Sequence, residues 1–252
     1  MHTSEKHVAT FHQLIDEIAP SVHALHIVRE DLLVDALQPS LGINNTALAQ
    51  RIKEAAFYAG KSGASVVVCT CSTIGGVVEA LNLKKKKQHI TTTRIDRAMA
   101  DTAAKIGAPI LLVAALESTI APSTALLQSS AAAIQSNLLI TPLLLEKAWD
   151  YFLAGNQSAY IDAIVATVAK HMSYLSASMG DITPAISPAR LNINSDLPRV
   201  SHTVVLAQAS MREAVPPLAA LGITALSSPE LGVRHAVAVW MQQQSHSPAT
   251  GK

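Results

Sequence analysis

Short, unbroken aliphatic runs recur along this chain, each too brief for a helix and each followed by a segment of helical period. The clearest is Ala64 to Thr70, with three consecutive valines at its centre. Such runs suit strands buried on both faces, and strands separated by helices call for a parallel sheet with helices on both sides. The expected fold class is therefore α/β. Strands are expected over 7–11, 24–28, 64–70, 110–116, 138–144, 203–206 and 223–226. Helices are expected over 11–18, 46–59, 73–81, 96–106, 122–135, 145–176 (broken near Gly155 and Asn156) and 231–241. Pro20, Gly60, Gly63 and Gly107 supply the stops, and Pro122 suits a first helical turn. The stretch from Met179 to His202 holds three prolines and little periodicity. It reads either as a lid or as a surface excursion.

Composition supports a packed core of aliphatic side chains. Hydrophobic residues make up 49% of the chain, charged residues 15% and aromatics 4%, so Ala, Val, Ile and Leu must fill the interior. The net charge of +1 offers no basic field for nucleic acid, and no polybasic amphipathic helix addresses a membrane surface. The block Lys84 to Lys87 reads as a solvated loop, with an anion contact as the alternative. No apolar run approaches the roughly 18–20 residues of a membrane span, and Met1 to Thr10 lacks an apolar signal segment. A cytoplasmic location is expected. The two cysteines, Cys69 and Cys71, are too close for an ordinary disulfide in a strand and lack companion ligands at metal spacing.

The most informative feature is an internal echo. Val66-Val67-Val68-Cys69-Thr70-Cys71-Ser72-Thr73 lies without gaps on Thr203-Val204-Val205-Leu206-Ala207-Gln208-Ala209-Ser210. Each copy is an aliphatic strand, a small residue, a distinctive position, then small or hydroxyl residues opening a helix. Cys71 falls on Gln208, and Thr73 on Ser210. In open parallel sheets ligands bind beyond the carboxyl ends of the strands, where helix N-termini offer free N–H groups to an anion. A thiol placed there is favoured as the reactive thiolate. Gly75 and Gly76 are expected to let a ligand approach the backbone, and Ser72 and Thr73 add hydroxyls. The plainer alternative makes Cys71 a small buried residue. Cys69, inside the strand, is expected to be buried and inert.

These motifs resemble those of the cofactor-independent aspartate/glutamate racemase superfamily, which includes hydantoin racemases and arylmalonate decarboxylase. The resemblance rests on Val68-Cys69-Thr70-Cys71-Ser72-Thr73, Arg94-Ile95-Asp96, and Leu112-Val113-Ala114-Ala115 with Ser118 and Thr119. It continues through Val204 to Met211 and Leu226-Ser227-Ser228-Pro229. It implies two pseudo-symmetric α/β domains facing each other across a cleft: residues 1–95 with 217–252, and residues 96–216. The last strand and helix would join the first. It also implies chemistry at the α-carbon of a small carboxylate or amino acid, with no cofactor and no metal. Family members are often dimers, so a homodimer is an expectation too. The carboxylate-holding set implied comprises Thr10, Ser72, Thr73, Ser118, Thr119, Ala209, Ser210 and Ser228.

The sequence departs from the family where each echo should carry one cysteine. Cys71 matches the first, but Gln208 occupies the second, and a primary amide does not transfer protons near neutral pH. Gln208 can still hydrogen-bond a carboxylate or an enolate-like oxygen. Three readings follow: a one-thiol racemase-like, decarboxylase or dicarboxylate isomerase enzyme; a racemase in which a histidine, His12 or His202, replaces the second thiol; and a carboxylate-binding protein without catalysis. Ser118, Thr119, Ser210 and Ser228 have helix caps or turns as the competing role.

Overall fold

The computed structural model describes residues 1–38, 46–81, 83–85, 88–180 and 202–245. The chain opens with Met1 to Thr3 in extended form. Helices α1 (His7–Ile18), α2 (Glu30–Leu37) and α3 (Thr46–Lys61) precede strand β1 (Val66–Cys69) and helix α4 (Ser72–Glu79). Strands β2 (Leu83–Lys85) and β3 (Gln88–Arg94) lead to α5 (Arg97–Ile106), β4 (Ile110–Ala114), α6 (Glu117–Ala133) and β5 (Ile140–Leu144). Then come α7 (Ala148–Leu153), α8 (Gln157–Gly180), β6 (Thr203–Leu206), a 3-10 turn Ala209–Ala214, α9 (Val215–Ala220), β7 (Ala225–Ser227) and α10 (Ser228–Ser245).

Two sheets result. One has the order β1-β3-β2, the other β5-β4-β6-β7. Every pairing is parallel except β2 with β3. The first sheet is extended by the chain start. The Thr70 amide donates to the Met1 carbonyl, and His2 bridges in parallel to Val28 on its other side. The α/β class expected from the aliphatic runs is therefore the class observed.

The four-stranded sheet shows why alternating valines and leucines suffice. Leu111, Val113, Val204 and Leu206 point to one face, against Tyr160, Ile164 and Val168 of α8. Ile110, Leu112, Ala114 and Val205 point to the other, against Met99 and Ala103 of α5 and Leu126 and Leu127 of α6. Both faces are covered, so the central strands β4 and β6 are buried throughout. Pro142 sits in β5, at the sheet edge, where a missing N–H costs no ladder bond.

Several expectations need correction. Residues 7–11 are not a strand: Phe11, Leu14, Ile15 and Ile18 follow helical spacing, and α1 extends back to His7. Of 24–28, only Val28 pairs as a strand residue, in a single bridge. Pro122 lies inside α6, which already begins at Glu117. Lys84 and Lys85 lie in β2 rather than in a loop. Strand β3 escaped notice because its Thr91-Thr92-Thr93 core is polar in composition. The last strand, β7, pairs with β6 in the four-stranded sheet, not beside the N-terminal segment. The last helix, α10, packs on both α1 and α5. The expected lid or excursion over 179–202 lies almost wholly outside the described residues.

Candidate active site

Both echoes fold alike. Cys71 follows β1 and is the N-cap residue of α4, at φ −101° and ψ 116°. Gln208 follows β6 and caps the 3-10 turn at φ −119° and ψ 140°. The equivalence read from sequence thus reappears in the backbone. The two junctions meet directly, because the Ser72 hydroxyl donates to the Ala207 carbonyl at 2.8 Å.

A small cleft of about 30 Å³ lies at this meeting point, room for about one water. Thr3, Ser4, Thr70, Cys71, Ser72 and Thr73 line it from the first sheet, and Leu116, Thr119, Gln208, Ala209 and Ser210 from the second. His7, Leu33 and Trp149 complete the wall. Of the expected residues, Cys71, Gln208, Ser72, Thr73, Thr119, Ala209 and Ser210 line this cleft. Ser118 stands just behind it, its hydroxyl 3.5 Å from that of Thr73, which is also 3.3 Å from Thr119 Oγ1. Thr10, on α1, does not line the cleft. Ser228 is fully buried at the start of α10, away from it.

The two cysteines differ as burial dictates. Cys69 is fully buried, and desolvation, with the neighbouring Cys71, pushes its thiol up to about 12. Its Sγ donates to the Cys71 carbonyl at 3.5 Å. Cys71 is half-buried and both thiols are free. Of the two thiols, Cys71 borders the cleft and Cys69 does not.

Gln208 has a defined orientation. Its Oε1 accepts the Ala115 N–H at 2.6 Å, so what its amide can offer a ligand is N–H donors. Ser210 is held by the Tyr160 hydroxyl at 2.9 Å, and burial pushes that phenol up to about 12 against the opposing Ser210 bond. Among the described residues, no Lys or Arg lines the cleft. The described lining offers a carboxylate backbone N–H groups, hydroxyls, the Gln208 amide and the His7 ring.

Gly75 and Gly76 serve a different purpose from the one expected. A Cβ on Gly75 would stand 3.1 Å from Arg94 Cβ and Nε, and one on Gly76 3.4 Å from Nη1. The glycines seat the Arg94 guanidinium under the first turns of α4. Arg94 pairs with Asp96 through Nε–Oδ1 at 2.6 Å and Nη2–Oδ2 at 2.8 Å, and Nη2 also donates to the Ser72 carbonyl at 3.2 Å. The motif Arg94-Ile95-Asp96 thus braces the Cys71 junction from below.

The histidines named from sequence are elsewhere. His12 is exposed and pairs with Asp16 at 3.5 Å, and His202 does not line the cleft. His7, at the start of α1 where the sequence suggests a strand, does. It stacks on Phe152 of α7 with ring centroids 5.8 Å apart, and burial brings it down to about 4. Lys6 ties the same turn to α7 by donating to the Phe152 and Leu153 carbonyls at 2.6 and 2.9 Å.

A larger cavity of about 450 Å³ lies behind β1, between α1 and α10, walled by Phe11, Val66, Val68, Val237, Trp240 and His26. It holds neither cysteine. Thr70 borders both cavities, and its Oγ1 lies 3.0 Å from His2 Nδ1, while His2 Nε2 is 2.9 Å from His26 Nδ1. Among the described residues, no three His, Cys, Asp or Glu side chains are grouped to hold a metal, and no helix is long and apolar enough to cross a membrane.

Solved structures supply the comparison that decides the fold. Aspartate racemase from Picrophilus torridus superposes with a TM-score of 0.60 at 12% identity, covering 96% of this chain and 91% of that one. The chain has the fold of the aspartate and glutamate racemases. Glutamate racemase from Thermus thermophilus, in complex with β-chloro-D-alanine, gives 0.58 at 16% identity over 97% of this chain and 80% of that one. Allantoin racemase from Klebsiella pneumoniae gives 0.53 at 14% over 96% and 85%. No protein-family model matches the sequence, and no curated protein sequence does. The strand ends bearing Cys71 and Gln208 both border the small cleft of this chain.

Proposed function

We propose that this racemase-fold protein is an isomerase-type enzyme that moves a proton at the α-carbon of a small carboxylate or amino acid. It acts without a cofactor, with Cys71 as its thiol acid/base and Gln208 as a hydrogen-bond donor in place of the second thiol. The observation that carries this reading is the junction pair: Cys71 and Gln208 cap equivalent strand ends that touch through Ser72 and Ala207. The hydroxyls of Ser72, Thr73, Thr119 and Ser210 and the amide of Gln208 suit an anionic oxygen, which develops further charge when the α-proton leaves. The neighbours support an amino-acid-like ligand, since one is an aspartate racemase and another holds β-chloro-D-alanine. The cleft accommodates about one water as it stands, so substrate entry requires the two junctions to part.

The test is proton exchange in D₂O with aspartate, glutamate and related dicarboxylic acids, followed by proton NMR and chiral chromatography. Deuterium at Cα with inversion, the inversion disappearing in Cys71→Ala, is the expected result. Inversion that survives Cys71→Ala overturns the assignment. A ligand that raises the melting temperature without any exchange supports a carboxylate-binding protein instead.

A further inference from the structure

Inversion at a carbon needs two proton-transferring groups, one on each face, and the Gln208 amide is not one. Of the fourteen described side chains lining the cleft, Cys71 and His7 alone carry a thiol or an imidazole; the others are hydroxyls, an amide and carbon or indole groups. They also come from different places. Cys71 stands at the mouth of β1, whereas His7 opens α1 and stacks on Phe152 of α7, which follows β5 of the other sheet. The Lys6 bonds to the Phe152 and Leu153 carbonyls and the Trp149–Phe152 stack at 4.7 Å hold that turn in place.

From this arrangement we infer that His7 is the second acid/base of the cleft, the partner that lets a one-thiol site transfer protons on both faces of the substrate. The inference rests on the function proposed above and deepens it. In one direction the neutral imidazole takes the Cα proton, and the C–H electron pair passes into the adjoining carboxylate as an enolate-like dianion. The Cys71 S–H then gives its proton to the opposite face, and the electron pair returns to form the new C–H bond. The site is left with imidazolium and thiolate, the state from which the opposite enantiomer is processed. Charge and protons balance, and no further reactant is required. Burial keeps His7 uncharged at neutral pH, as its role as base requires. Among the described residues, the titratable groups near it are His2, which feels its charge, Lys6 in the same turn, and Cys71 in the same cleft.

Two measurements test this. The first compares wild type, His7→Gln and Cys71→Ser in D₂O with each enantiomer of the exchanging acid. His7→Gln should lose inversion by 100-fold or more while still exchanging one enantiomer, and Cys71→Ser should exchange only the other. Inversion in His7→Gln within three-fold of wild type overturns the inference. The second needs no substrate. The rate of Cys71 reaction with 2,2′-dithiodipyridine, in a Cys69→Ala background, is followed from pH 3 to 8. An inflection near pH 4 that vanishes with His7→Gln supports the pairing; superimposable profiles overturn it. If wild type exchanges no acid but the inflection depends on His7, the proposed function fails and the pairing of the two groups stands.

Discussion

Replacing Asp96 by asparagine should destabilise the protein more than any surface charge change could. Asp96 and Arg94 have side chains only 1% and 4% exposed, and their pair consists of two short bonds. Burial alone disfavours the Arg94 charge, but the Asp96 bonds and charge more than offset it, holding the guanidinium above its ordinary value. Asparagine removes the compensating charge. It must also turn an NH₂ group toward one of the two Arg94 donors, where the carboxylate accepted bonds at 2.6 and 2.8 Å. Removing one partner of a buried pair costs about 3–5 kcal/mol. For a chain of this size about 1 kcal/mol moves the melting temperature by roughly 2–4 °C, so a fall of about 6–20 °C is expected. Urea unfolding of Asp96→Asn, Arg94→Met and the double variant measures the cost directly. The double variant should lose well under the sum of the singles, with a coupling of about 2 kcal/mol or more. Because Arg94 also holds the Ser72 carbonyl, Asp96→Asn should change the alkylation rate of Cys71 by several-fold. A single-variant loss below about 1 kcal/mol, or simple additivity, refutes the brace.

Three further outcomes are expected. Gly232→Ala places a Cβ against the Ile95 carbonyl and within 2.8 Å of its side chain, so α10 must shift from its seat; a loss of about 1–3 kcal/mol in urea unfolding is expected, and an unchanged midpoint contradicts the packing. Tyr160→Phe removes the hydroxyl that holds Ser210, costing about 1 kcal/mol and raising KM more than it lowers kcat; unchanged kinetics would separate Ser210 from substrate binding. Burial brings His2 down to about 3 and His7 to about 4, below their unfolded value of 6.5, so the unfolded chain binds more protons as pH falls. Stability should therefore be full above about pH 6.5 and decline toward pH 4. His2, which is buried, should account for on the order of 3 kcal/mol, and the cleft-facing His7 for less. A urea midpoint that is flat from pH 7 to 4.5 would sink this.

What the sequence settled by itself was whatever depends on local pattern. The aliphatic runs placed β1, β4, β5 and β6, most sharply β4 and β6, since strands covered on both faces must be apolar along their length. Gly155, at φ 73°, marked the break between α7 and α8, since a left-handed residue ends a helix. The echo placed Cys71 and Gln208 at equivalent strand ends, and burial of Cys69 followed from its place inside β1. The tertiary structure decided everything that depends on a partner distant in the chain. The polar strand β3 is a strand only because β1 and β2 flank it. The space at Gly75 and Gly76 is filled by Arg94, some twenty residues on, rather than left open to a ligand. His7 entered the cleft because α1 folds its first turn against α7, a contact of residues about 145 positions apart that no local pattern encodes. So the thiol and its strand end were legible in the sequence, while the presence of His7 in the same cleft was set by packing of α1 against α7.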